Sequence, residues 1–104
     1  MYVLVFFVPL THLEEVKKEM FAAGGGAFGE YSHCSFESVG LGQFLPLESA
    51  RPFIGTPGVL ERVREMRVEM VVSDESIGDV VTALKNSHPY QTPAFHYYKV
   101  DTGV

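Results

Sequence analysis

Residues 2–8 are apolar on both sides of an extended chain. Tyr2, Leu4, Phe6 and Val8 point one way, and Val3, Val5 and Phe7 the other, because successive side chains of a strand alternate. A run of this kind must be covered on both faces, and no other feature constrains the fold as much. The sequence has 104 residues, read as one domain over 1–104 with a core of modest size. A domain this small has few helices with which to cover two faces of a sheet.

The rest of the chain supplies two helices and three more strands. Pro9 ends the first run. Thr11 and Glu14 have the spacing of a capping box, so a helix starts there. Leu13, Val16, Met20 and Phe21 form its inner stripe, with Glu14, Glu15, Lys17 and Lys18 turned to water. Gly24, Gly25 and Gly26 stop it. Residues 31–39 read as the second strand: Tyr31, His33, Ser35, Glu37 and Val39 share one face, and Ser32, Cys34, Phe36 and Ser38 the other. Residues 40–58 are broken by glycines and prolines and have no period. A connection of that length in a compact domain is functional or packs by its own side chains, and Leu41, Phe44, Phe53 and Ile54 indicate that it docks. Residues 61–72 are the third strand, with Met66, Val68, Met70 and Val72 opposite Glu65, Arg67 and Glu69. Ser73 or Ser76 caps a second helix, with Asp74 and Glu75 at its positive end. Its inner residues Ile77, Val80, Val81 and Leu84 follow helical spacing. It closes before Pro89, since the residue preceding a proline leaves the helical region. Residues 95–100 form the last strand.

Strand, helix, strand, strand, helix, strand is the split βαβ plan. The expected fold class is α+β: a ferredoxin-like βαββαβ sandwich. Right-handed crossovers place the first and third strands at the centre of an antiparallel sheet, with both helices on one face. The other face is then bare, although each large apolar side chain there would gain about 1.5–3 kcal/mol from burial. Self-association through that face is the simplest remedy. Glu65, Arg67 and Glu69 also lie there, and they must meet water or pair across the contact, because an unpaired buried charge is costly.

The net charge of −5 argues against nucleic acid and anionic membrane as partners, which call for a basic footprint. The single cysteine, Cys34, permits no internal disulfide and fits a reducing cytoplasm. The apolar opening lacks a basic leader region and is too short to span a bilayer.

Few residues carry chemistry. The alternative reading is a metal-binding protein or metal-dependent hydrolase with His33, Cys34, His88 and His96 as ligands, since zinc favours such atoms. No C-x-x-C or H-E-x-x-H spacing supports them, and neighbours on a strand point apart. Cys34 as a nucleophile needs a base on its own face, and His33 is not on it. The three glycines close a helix, whereas phosphate cradles open one. Arg51 is the cation best placed for an anionic ligand. In the stretch His88, Pro89, Tyr90, Gln91, Thr92, Pro93, two prolines hold Tyr90 in a stiff corner. The candidate ligand site is therefore Tyr31, His33, Arg51, Phe53, His88 and Tyr90, taken as two turns meeting at one end of the sheet. No catalytic residue and no cofactor is expected.

The opening VLVFFVP, the glycine run with YSHCSF, the segment GLGQFLP, then RPFIG and HPYQTPAF together resemble the small inserted domain of the NIF-three-like (dinuclear metal centre) proteins, here standing alone as in short YqfO-type relatives. Where such relatives read HPYEEPAYD, this chain has Gln91, Thr92 and His96, so acidic positions are lost. The resemblance implies a domain similar to the PII signalling and CutA cation-tolerance proteins. It further implies a homotrimer whose sheets line the centre and whose long loop after the second strand meets a small ligand or protein partner. The ligands of the metal-bound shell belong to two flanking lobes that have no counterpart here. Hydrolase and cyclohydrolase labels are therefore not carried over, and the module is expected to be non-enzymatic. A further reading is a subunit that caps another protein.

Overall fold

A computed structural model describes residues 1–103. The apolar opening run forms β1 (Tyr2–Pro9). It is followed by α1 (Leu13–Ala22), β2 (Phe36–Phe44), β3 (Glu61–Val72), α2 (Ile77–Ser87) and β4 (Phe95–Lys99). The sheet order is β2-β3-β1-β4, with every neighbouring pair antiparallel. The helices pack against each other on one side of the sheet. This is the ferredoxin-like α+β sandwich expected from the element order.

The core lies between that side and the helices. Leu4 pairs with Met70, Phe6 with Val68 and Val8 with Met66. Val16 and Met20 of α1 and Val80 and Leu84 of α2 close over them, all four fully buried. The opposite face has no helix. There Val3 and Phe7 sit beside Val71 and Arg67, with Tyr98 and Ser38 further out. Val5 is fully buried even on this side, flanked by Glu69 and His96. Phe36 is 70% exposed and Tyr98 52%. The charge ladder is on this face as expected, and Arg67 answers Glu69 at 3.0 Å.

Three local expectations are corrected and one, the cap of α2, is resolved. The capping box does not form: Leu10–His12 make a 3-10 turn, α1 begins one residue later, and no side chain caps it. Lys17 does not face water, because its Nζ lies 2.7 Å from Glu37 on β2 and 3.2 Å from Glu14. Ser76 occupies the cap of α2 without bonding through its side chain, and its N–H donates to the Ser73 hydroxyl at 3.3 Å. The second strand starts at Phe36 rather than Tyr31 and runs on through Gly40 and Gly42 to Phe44, so the glycines there are strand residues and the loop is shorter.

The reason for that last shift lies in residues 24–35. Ala23 ends α1, and Gly24 turns left-handed at φ +110°. Gly24 N–H donates to Phe21 O at 3.0 Å, and Gly25 N–H to Met20 O at 2.9 Å. These two bonds make a Schellman stop. Gly26 then bonds Val71 O at 2.8 Å, and Cys34 N–H returns to Gly26 O at 2.9 Å. Phe28 and Tyr31 pair across a tight turn, and His33 has φ +59°. A left-handed residue breaks an extended run, so the alternation of residues 31–35 never becomes a strand. Among the described residues no helix is long and apolar enough to cross a membrane.

Candidate functional site

At the end of the sheet where β1 finishes, two connections meet: residues 45–60 between β2 and β3, and residues 88–94 between α2 and β4. Pro89 forces His88 out of the helix into an extended conformation (φ −71°, ψ 136°). Its ring then turns inward, where it is buried. His88 Nε2 stands 2.6 Å from Phe7 O, and Tyr90 N–H reaches His88 Nδ1 at 3.1 Å. A nitrogen that accepts cannot carry the proton, so Nε2 carries it and donates to the carbonyl. Burial pushes this imidazole below its ordinary pKa, with the hydrogen bond to Phe7 acting the other way. His88 is thus a neutral brace that fixes Tyr90, and neither ring nitrogen is free.

The long connection folds back onto this corner. Arg51 N–H donates to Gln91 Oε1 at 2.9 Å. Phe53 meets the edge of His12 at 5.2 Å between centroids and lies 6.5 Å from Tyr90, and Phe44 is 6.0 Å from Tyr90. Between them is a cavity of about 270 Å³. Phe7, Phe44, Phe53 and Tyr90 give it aromatic walls, and Glu65 and Gln91 add polar ones. The Tyr90 hydroxyl is buried without a hydrogen-bond partner. Its pKa is pushed up to about 12, first by burial and then by the Glu65 charge. Burial also raises the Glu65 carboxyl above its usual range. Gly42 makes room for that carboxyl: a Cβ there would lie 1.9 Å from Glu65 Oε1.

The structure divides the six candidate residues. Phe53, His88 and Tyr90 come together at the corner. Arg51 contributes its backbone N–H, while its guanidinium turns to the Ser49 and Ala50 carbonyls at 3.4 and 3.3 Å. Tyr31 and His33 belong to the opposite end of the sheet, where the His33 ring meets Phe21 at a 45° tilt with centroids 4.8 Å apart and Tyr31 is 77% exposed. The two turns do not meet. Nor do His33, Cys34, His88 and His96 converge: among the described residues no group of three or more His, Cys, Asp or Glu side chains is placed to hold a metal ion. The six candidates leave out Glu65, Phe7 and Phe44, although Phe44 was expected to dock. The one signal available in the sequence was Gly42, since a glycine inside a strand marks a close approach.

No protein-family model matches the chain. A protein of Halalkalibacterium halodurans named GTP cyclohydrolase 1 type 2 homolog is 45% identical over 98 residues, covering 94% of this chain and 26% of that protein. The crystal structure of a Bacillus cereus protein related to NIF3 superposes with a TM-score of 0.83 at 40% identity, over 97% of this chain and 26% of that one. This chain is a relative of one segment of the NIF-three-like proteins. It spans about a quarter of the length of the curated relatives it matches. The fold is also that of CutA from Archaeoglobus fulgidus (TM-score 0.70, 18% identity, 100% of this chain and 88% of that one). Bacillus subtilis GlnK shares it as well (TM-score 0.63, 15% identity, 95% and 83%). At these identities the likeness concerns the fold alone.

Proposed function

We propose that this chain is a non-enzymatic, self-associating binding module of the cytoplasm. Copies cover one another's open sheet face as a homotrimer, and a small ligand or protein segment enters the pocket beside Tyr90. The observation that carries this reading is the uncovered face itself, where Phe36 and Tyr98 stand out beside Val3, Phe7 and Val71. Exposed apolar side chains grouped on an unpartnered sheet face mark an interaction site, and a second copy offers a matching one. The CutA-like fold, whose sheets are expected to line a trimer, supports the stoichiometry. Binding rather than catalysis is supported by the commitment of His88, the imidazole of this corner, at both nitrogens.

Light scattering on the purified chain at micromolar concentration tests the assembly. Three times the mass of one chain is expected, and Phe36→Glu should lower it by setting a like charge beside Glu69, its register partner. A monodisperse monomer for the unmodified chain would remove the proposal.

A further inference from the structure

The pocket's walls and its unpaired polar groups narrow what can enter, a step that rests on the pocket reading above. Four aromatic residues line the cavity, and the face of an aromatic ring attracts positive charge. Within a single protomer, among the described residues, Glu65 has neither an ion-pair nor a hydrogen-bond partner, although it is partly withdrawn from water. The Tyr90 hydroxyl has no partner either. The nearby guanidinium of Arg51 is bound to its own loop and is not among the walls. An anion would meet Glu65 with like charge, and a neutral guest would leave that carboxylate uncompensated.

We propose that the pocket binds a protonated primary or secondary amine carried on a small apolar or aromatic body. The ammonium sits against Glu65 and the ring faces and donates one hydrogen to the Tyr90 hydroxyl. The apolar body lies between Phe44 and Phe53. Gly42 fixes the seat of the carboxylate, because a methyl group there would collide with Glu65 and re-aim it while leaving its charge intact.

The test is a titration of the full chain, in its own assembly, with 2-phenylethylamine, 2-phenylethanol and phenylacetate, followed by NMR of the Tyr90 ring. The amine is expected to shift Tyr90 saturably, the alcohol to bind at least tenfold more weakly, and the carboxylate weakest. Glu65→Gln should weaken the amine at least tenfold. Gly42→Ala should do so by a smaller factor, with the circular dichroism spectrum unchanged. If the amine binds Glu65→Gln as well as the unmodified chain, or the alcohol binds as tightly as the amine, the charge assignment is wrong and the pocket reading stands. If no probe of any charge moves Tyr90, both fall.

Discussion

The two ends of the sheet draw on the same residue types, glycine, histidine and aromatic rings, and use them for opposite purposes. At the end holding residues 24–35, backbone groups satisfy one another. Gly24 and Gly25 cap α1, Gly26 ties to Val71 and Cys34 ties back to Gly26, so the turn is closed by its own backbone. At the other end the backbone bonds are fewer, and the rings stand around a space instead of filling it. His33 meets Phe21 at a tilt of 45°, whereas His88 uses one nitrogen on Phe7 O and the other to hold the Tyr90 N–H. Local backbone closure makes a plug; a side-chain brace makes a socket.

The contrast is broken most severely by Gly26→Ala. The added Cβ would lie 2.7 Å from Cys34 O and 2.8 Å from Cys34 N at φ +75°. Left-handed strain and overpacking together should cost about 3 kcal/mol, read as a lower urea midpoint. A cost under about 1 kcal/mol would mean that the plug yields easily and that its tightness is not what separates the two ends.

His88→Asn comes next. Losing the brace should cost about 1–3 kcal/mol, and the pH response sharpens the assignment. The folded imidazole titrates below the ordinary 6.5. As pH falls through about 6.5 the unfolded chain therefore takes up the proton first, and stability declines toward the folded pKa. Above that window both states are neutral and the dependence disappears. Urea unfolding at several pH values between 5 and 8 should show this slope in the unmodified chain and a shallower one in the variant. An equal slope in both would transfer the effect to another group.

Tyr90→Phe is the mildest change and runs the other way. Removing a buried hydroxyl that has no partner should leave stability unchanged or raise it by up to about 1 kcal/mol, while amine affinity drops. A clear loss of stability would show that the hydroxyl has a partner within the fold.

Where side-chain periodicity set the structure, it could be read directly. The double-faced run became β1, and the alternation of Met66, Val68 and Met70 became β3 with its observed bounds. Residues 31–35 misled because aromatic and polar side chains alternate there as well. Backbone bonding decided the matter, through Gly26 to Cys34 and a left-handed His33, and single-chain alternation carries no trace of such contacts. Half of the site was visible for a similar reason. Prolines announce the stiff corner at Tyr90, but Glu65 looks like one more rung of a surface ladder until the Gly42 backbone is set under it.

One hydrogen bond described above also bears on the order in which the molecule is made. His88 meets Phe7 across 81 positions of sequence, and Arg51 meets Gln91 across 40. Contacts that close such long intervals form late, after local turns and helices. On the ribosome, β1 through β3 emerge before the segment that braces Tyr90 exists. The plug, whose own bond from Gly26 to Val71 is also long-range, can close once β3 has emerged, whereas the socket waits for residues 88–94.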